Sequence, residues 1–313
     1  MIYSLAIHGG AGTMRREAMS AEAEAGHHAG LRAALLAGQR VLAGGGPAVD
    51  AVTAAVMALE DDPQFNAGRG AVFTSDGRLE MDAAIMSGAP RAAGAVAGIC
   101  GPRNPVLAAR AVMERSEHVL LIGAGALAFC RAQGLAFAED SYFRTERRWQ
   151  ALQDELERRR TAAADTRDDA ARHGTVGAVA RDAAGRLAAA TSTGGMTAKA
   201  PGRVGDCPVF GAGTWADGLC AVSATGHGEH FIRHAAAHEI AARMRLGGQS
   251  LAEAAAAVVA ELGAIGGSGG LIAIDAAGDV ALPFNSAGMY RGRIGPDGVP
   301  MTGIWRESPT AQA

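Results

Sequence analysis

A layered α+β body, with helices outside and sheets inside, is the fold class this sequence predicts, and three observations carry it. Alanine-rich segments with helix start and stop signals alternate with apolar runs of strand length. Residues 177–196 and 270–289 align without a gap, each a hairpin pattern with a DAAG turn and a closing Gly-Met, so antiparallel sheets are expected. The chain has 313 residues, 49% hydrophobic and 19% charged, which is enough to bury a large core without disulfides or a structural metal.

Taken in order, residues 2–7 read as a buried strand that ends in the cluster His8, Gly9, Gly10, Ala11, Gly12, and a loop with exposed amides is expected there. Residues 20–43 form an alanine-rich helix stopped by Gly44, Gly45 and Gly46, and Pro47 opens a second helix to about residue 60. Residues 73–81 read as a hairpin turning at Asp76-Gly77. Asn104 before Pro105 marks an N-cap, which gives a helix over 105–115 and then a strand over 118–122. From 144 to 172 the chain is rich in charge and poor in branched apolar residues, so a frayed helix and a solvated linker are expected, with Arg158 to Arg160 as a solvated cluster. Beyond it come the two hairpins, 176–180 with 187–191 and 271–274 with 280–284. Between them lie a helix over 229–246 and another from Leu251, whose Ser250 and Glu253 make a capping box.

Charge and composition narrow the class of function. Forty-four glycines are about twice the usual share but carry no collagen-like period, and neither disorder nor a fibre fits. A net charge of −3 supplies no basic field for nucleic acid. Cys100, Cys130, Cys207 and Cys220 are far apart without a C-x-x-C pair, which suits reduced cytosolic thiols. The start lacks the pattern of an export signal, and the longest apolar run, 119–129, is 11 residues against the roughly 20 that span a bilayer. A soluble, cytoplasmic small-molecule enzyme is expected.

Two patterns invite other readings. VLLIGAGALAF over 119–129 contains G-x-G-x-x-A between a strand and a helix, but the acidic residue a dinucleotide site requires about 20 positions on is poorly placed, Glu139 and Asp140 coming early with no clear second strand before them, and a tight strand-to-helix turn accounts for it. His230, His234 and His238 recur every four residues, with His227 just before, yet H-E-x-x-H is absent and no nearby Cys or carboxylate completes a metal shell. A solvent-facing or packed histidine face is expected instead.

The chemistry-bearing stretch begins where the linker ends, at His173-Gly174-Thr175-Val176-Gly177. A cut before Thr175 would start the strand with a residue owning both a hydroxyl and an α-amine of pKa roughly 7.7 to 8.0. Nucleophile and base would then belong to one residue, the amine taking the hydroxyl proton at neutral pH. An ordinary strand threonine is the competing reading.

HGTVGAVA, TSTGGM at 191–196, PGRVGD at 201–206 and SATGHGE at 223–229 together resemble plant-type asparaginases, also called isoaspartyl (β-aspartyl) peptidases. The resemblance extends to HGGAG at 8–12, LEDDPQFNAGRGAVFTSDG at 59–77, AGAVAG at 93–98, RNPVLAARAVMERS at 103–116 and GGSGGLIAID at 266–275, so it covers nearly the whole chain outside the linker. It implies a threonine-type N-terminal nucleophile hydrolase: one domain over 1–313 built as a four-layer αββα sandwich. The precursor would cut itself between Gly174 and Thr175 into an α-chain of 174 residues, ending in the linker, and a β-chain of 139.

By that resemblance Thr175 is the nucleophile, Thr193 lies beside it and polarises its hydroxyl, and Thr225 and Gly226 supply hydroxyl and amide to the oxyanion. Arg203 is implied to clamp the substrate α-carboxylate and Asp206 its α-ammonium, where without the family context a loop salt bridge would serve as well. Gly9, Gly10 and Asn66 are implied as supporting residues near the nucleophile. The loop after residue 59 resembles one that holds a structural sodium through the carbonyls of Leu59, Glu60, Asp62, Phe65, Ala67 and Arg69, and an ordinary helix-end loop is the alternative. No cofactor is implied for the chemistry.

The implied substrates are isoaspartyl dipeptides and L-asparagine, hydrolysed through a Thr175 acyl-enzyme with release of aspartate by a dimer of αβ units, without nucleic-acid or membrane partners. A glycosylasparaginase and an unprocessed amino-acid-binding relative are the rivals. Two departures from the pattern stand out: Ala198 replaces an asparagine common in relatives, and His227 falls at a variable position. Cys207, next to Asp206, is expected to be a small buried apolar residue.

Overall fold

The computed structural model describes residues 2–12, 14, 16–161 and 174–311. The last part of the expected linker, within 162–173, lies outside the described residues. The molecule is α+β, as its sequence predicts. Its first strand, β1 (Ser4–Gly12), corrects one expectation: the cluster at 8–12 is not an exposed loop but the second half of a buried strand, with a bulge between His8 and Gly10. Small residues allow this passage, because a Cβ at Gly9 would stand 2.4 Å from the Phe65 ring.

Two helices follow. α1 (Ala21–Ala43) starts at Ser20, whose hydroxyl accepts the amide of Ala23, and α2 (Ala48–Asp61) starts after Pro47. The turn at Asp76-Gly77 is a tight hairpin bridged by Phe73 and Leu79. It leads to β2 (Met81–Ser87) and β3 (Ala93–Ile99). Next comes α3 (Pro105–Arg115), where Asn104 makes no side-chain capping bond. The carboxylate of Glu60 caps this helix instead, accepting the Val106 amide at 2.9 Å. The G-x-G-x-x-A stretch is β4 (Leu120–Ile122) turning into α4 (Gly123–Ala132), the tight strand-to-helix turn expected.

α5 (Asp140–Phe143) is a single turn, and α6 (Glu146–Thr161) is well formed: it buries Leu152 and ties Arg158 and Arg159 to Glu155 and Arg160 to Glu157. The first hairpin is β5 (Val176–Arg181) with β6 (Leu187–Thr193), followed by β7 (Thr214–Ala216) and β8 (Cys220–Gly226). The single helix expected over 229–246 is two, α7 (Gly228–His234) and α8 (Ala236–Gly247), broken at Ala235 with φ 47°. The break lets the first amides of α8, on Ala237 and His238, reach the carbonyls of Ala212 and Gly211 at 3.1 and 2.8 Å, satisfying groups that a helix start otherwise leaves open. α9 (Leu251–Ala264) carries the predicted capping box. β9 (Gly269–Asp275) and the short β10 (Val280–Ala281) form the second hairpin, and β11 (Gly288–Ile294), β12 (Met301–Gly303) and β13 (Thr310–Ala311) complete the chain.

Among the described residues the strands form two sheets, ordered β13-β12-β11-β1-β5-β6-β2-β3-β4 and β10-β9-β8-β7. The two similar hairpins therefore sit one in each sheet. Ala6, Val179 and Ala189 of the larger sheet meet Ala221, Ile272 and Ile274 of the smaller in one apolar cluster. α1 to α3 bury Leu31, Leu35, Val52, Val56 and Val112 against the larger sheet, while α8 and α9 bury Ile240, Val258 and Leu262 against the smaller. Each such side chain contributes about 1.5–3 kcal/mol by leaving water. β1 and β5 are hydrogen-bonded neighbours, and so are β2 and β6, so the segments before and after residue 174 share one sheet. No helix among the described residues is long and apolar enough to cross a membrane.

Candidate active site

The start of β5 and the ends of β1, β6 and β8 converge on Thr175, which is buried. Its hydroxyl donates to Thr193 Oγ1 at 3.2 Å, and Thr193 Oγ1 donates to the carbonyl oxygen of Gly174 at 2.9 Å while accepting the Gly195 amide at 2.9 Å. The same carbonyl receives Asn66 Nδ2 at 2.7 Å. Asn66 is itself fixed, because Nδ2 also donates to Gly195 O at 2.7 Å and Oδ1 accepts the Val72 amide at 3.0 Å. The carbonyl just before the predicted nucleophile is thus polarised by two donors, and the nucleophile's hydroxyl is one bond away from one of them.

Gly10 closes the other side. Its φ of 116° belongs to glycine, and a Cβ there would lie 3.0 Å from Gly174 Cα and 3.4 Å from Thr175 N. One residue on, the Ala11 amide donates to Thr225 Oγ1 at 3.1 Å. With its acceptor side used in this way, the Thr225 hydroxyl keeps its proton to donate. Gly226, at φ 148°, follows at the end of β8, where a Cβ would stand 2.3 Å from Ser268 O. Gly9 lies behind this edge, over the Phe65 ring.

Arg203 and Asp206 lie on the loop between β6 and β7 and are brought to the same place. Arg203 Nη1 would be 3.4 Å from a Cβ on Gly195, and Asp206 Oδ1 2.7 Å from a Cβ on Gly228. Arg203 makes its ion pair with Glu229, not with Asp206. Asp206 is buried, its Oδ2 has no hydrogen-bond partner, and burial pushes its carboxyl up to about 7. An unpaired buried carboxyl costs free energy unless something cationic meets it.

Sequence reasoning singled out His8 only as part of a glycine cluster, yet it touches Thr175, the predicted nucleophile. Its Nδ1 lies 2.8 Å from Thr175 O and its Nε2 2.9 Å from Ser223 Oγ. A carbonyl can only accept, so Nδ1 carries the proton and Nε2 accepts from Ser223. Burial pulls the imidazole down to about 3, which keeps it neutral. Thr191 and Thr214 extend the network, at 2.7 and 2.6 Å. Gly177 makes room for it, since a Cβ there would stand 2.0 Å from Ser223 Oγ. Partners so distant in sequence, 215 residues apart for His8 and Ser223, leave no local signature.

The expected asparagine position, Ala198, has φ 56°, a region asparagine enters more readily than alanine, and packs in an apolar cluster with Phe73 and Phe143. Cys207 is buried as expected, and burial raises its thiol. The histidine face is dispersed by the break at Ala235: His234 pairs with Glu261, His238 stacks edge-on against Trp215, and His230 meets His227. No cluster of three or more potential metal-ligating side chains occurs among the described residues.

The six cation-loop positions lie on the turn from α2 to Gly68–Gly70. The carbonyls of Asp62 and Ala67 accept the amides of Phe65 and Gly70 at 3.2 and 3.1 Å. A Cβ at Gly70 would stand 2.0 Å from Phe65 O and 2.7 Å from Pro63 O, and one at Gly68 2.5 Å from Glu60 O. The two glycines thus leave room beside backbone carbonyls of this turn. The Glu60 side chain takes no part: it is buried, pushed up to about 8 by desolvation, and bonded to Ser192 and Val106.

The chain is similar to known isoaspartyl peptidases and L-asparaginases. The asparaginase family pattern matches residues 1–304. An isoaspartyl peptidase of Salmonella typhimurium is 53% identical over 310 residues, covering 97% of this chain and 98% of the relative. An isoaspartyl peptidase of Escherichia coli is 52% identical, covering 97% and 96%. A plant-type L-asparaginase of Pyrococcus abyssi is 40% identical, covering 91% and 94%.

Proposed function

This chain belongs to the asparaginase family, and on that premise we propose that it hydrolyses isoaspartyl dipeptides and the side-chain amide of L-asparagine, releasing aspartate, after cutting itself between Gly174 and Thr175. The observation that carries the reading is the Gly174 carbonyl, held by Asn66 Nδ2 and Thr193 Oγ1 beside the Thr175 hydroxyl. In self-cleavage Thr175 Oγ1 attacks Gly174 C. Its proton moves to Thr193 as Thr193 gives its own to the carbonyl oxygen, whose developing charge Asn66 also stabilises until the proton arrives. Collapse breaks the peptide C–N bond, the nitrogen takes the proton, and water hydrolyses the resulting ester, leaving Thr175 with a free amine.

That amine then acts as the base for the same hydroxyl. Arg203 and Asp206 hold the aspartyl head group, so that asparagine and an isoaspartyl peptide present the same β-carbonyl to Thr175. The Thr225 hydroxyl and Gly226 amide stabilise the oxyanion, each such donor being worth about 3–4 kcal/mol of barrier. Ammonia or an amino acid leaves, and water releases aspartate from the acyl-enzyme. Gly9, Gly10 and Asn66 are supporting residues that position the nucleophile.

The packing of helices on two face-to-face sheets is read as one four-layer αββα domain over 1–313. Its α- and β-chains stay interlocked after cleavage because β1 lies between β5 and β11. We further propose a cytoplasmic dimer of αβ units that acts on small molecules, without nucleic-acid or membrane partners. A sodium ion on the loop carbonyls is a structural part, with no cofactor in the chemistry; exchanging sodium for choline should lower the melting temperature, and an unchanged transition would remove the ion.

Asp206 gives the reaction a pH dependence. With its carboxyl raised to about 7, the ligand-free site is increasingly protonated below that pH and loses its hold on the substrate ammonium. Protonation of the Thr175 amine acts in the same direction. The expected result is a kcat/KM that falls as pH drops below 7, with Asp206→Asn removing the Asp206 component; an identical profile in that variant would take Asp206 out of the head-group site. Turnover of an isoaspartyl dipeptide against a glycosylated asparagine tests the substrate class. Preference for the dipeptide is expected, preference for the glycosylated substrate would make the protein a glycosylasparaginase, and aspartate binding without turnover in fully cleaved protein would make it a binding relative.

A further inference from the structure

Arg203 is offered to substrate along only one side. Its Nε and Nη2 donate to the two carboxylate oxygens of Glu229 at 3.0 and 2.9 Å, a two-pronged pairing that fixes the plane of the guanidinium. The remaining nitrogen, Nη1, faces Gly195, whose amide bonds the Thr193 hydroxyl beside the nucleophile. Glu229 is well placed to set this direction. It follows Thr225 and Gly226 by a few residues at the first turn of α7, so the strand end that supplies the oxyanion donors also carries the carboxylate that aims the head-group cation. His227 adds a contact to the same carboxylate at 3.4 Å. Arg203 is 16% exposed, so most of its freedom is already removed, and an exposed arginine without such a partner would sample many rotamers.

We propose that Glu229 is a positioning residue for substrate recognition: it holds the Nε–Nη2 edge of Arg203 so that Nη1 is presented to the α-carboxylate of the aspartyl group, and it thereby sets selectivity for substrates that carry that carboxylate. The inference rests on the proposed role of Arg203. Glu229 touches neither the scissile carbonyl nor Thr175, so its removal is expected to spare the chemical step. The neutral isostere keeps the shape and removes the charge-assisted pairing.

The test compares Glu229→Gln, Arg203→Ala and the double variant in fully cleaved protein, using turnover of an isoaspartyl dipeptide and product inhibition by aspartate and by β-alanine, which lacks the α-carboxylate. Glu229→Gln should raise KM and the aspartate inhibition constant about tenfold, with kcat kept within about twofold and β-alanine inhibition unchanged. The double variant should be no weaker than Arg203→Ala, because Glu229 acts through Arg203. If Arg203→Ala raises KM but Glu229→Gln does not, the Glu229 inference fails while the role of Arg203 stands. If Arg203→Ala leaves KM unchanged, the Arg203 reading itself fails and takes the inference with it. Equal weakening of aspartate and β-alanine, or tighter aspartate binding in Glu229→Gln, would also overturn it, the first as a general structural effect and the second by making Glu229 a competitor for Arg203.

Discussion

Replacing Thr175 by alanine should leave the 313-residue chain uncut and should lower hydrolysis of an isoaspartyl dipeptide by at least about 10⁴-fold. The substitution removes a hydroxyl and a methyl group from a buried position and leaves the backbone contacts of residue 175, including the His8 bond to its carbonyl, in place. Folding should therefore survive, and the melting temperature should change little. Two reactions fail for one reason: the same Oγ1 attacks the Gly174 carbonyl in the precursor and the substrate carbonyl afterwards. Gel analysis over days of incubation, with turnover measured on the same sample, checks both. A Thr175→Ala protein that is cut normally and active would remove the threonine from the mechanism.

The next largest effect is expected from Thr193→Val, which keeps the shape and deletes the hydroxyl. That hydroxyl accepts from Thr175 Oγ1 and from the Gly195 amide and donates to Gly174 O. Its loss takes one of the two donors from the oxyanion of self-cleavage and breaks the path of the nucleophile's proton. Loss of a comparable oxyanion donor costs about 10²–10³ in rate, and a drop of that order is expected for cleavage. Asn66 still polarises the carbonyl, so cleavage should slow and not vanish. Hydrolysis by whatever fraction matures should fall as well, through the lost contact to Oγ1. Rates of both steps within twofold of the unsubstituted protein would show that Thr193 is only a packing residue at the end of β6.

What the sequence made legible follows a physical rule. Helix bounds at Ser20, Pro47 and Ser250 could be read because capping is local, decided within three or four residues. Gly174, Thr175, Arg203 and Asp206 stand in short motifs that became legible as a site through their resemblance to a known family, since residue types alone left an ordinary strand threonine and a loop salt bridge open. The glycine cluster at 8–12 reads as a loop in the sequence because glycine signals both a turn and a close approach, and only the neighbouring strands β5 and β11 distinguish them. The break at Ala235 was invisible because it satisfies α8 amides with carbonyls from a distant loop. Asn104 looked like a cap by position, but the capping oxygen comes from Glu60, on another helix. His8 and Glu229 escaped for the same reason, since each acts through a partner remote in the chain or on another element.

The claim on which the rest depends is that the chain opens itself before Thr175. Intact mass measurement with N-terminal sequencing, on freshly purified protein and again after incubation, tests it most directly. The account predicts a second N-terminus at Thr175 and fragments of 174 and 139 residues that accumulate with time without any added protease. A chain that persists at 31.7 kDa, or a cut at any other bond, would contradict it.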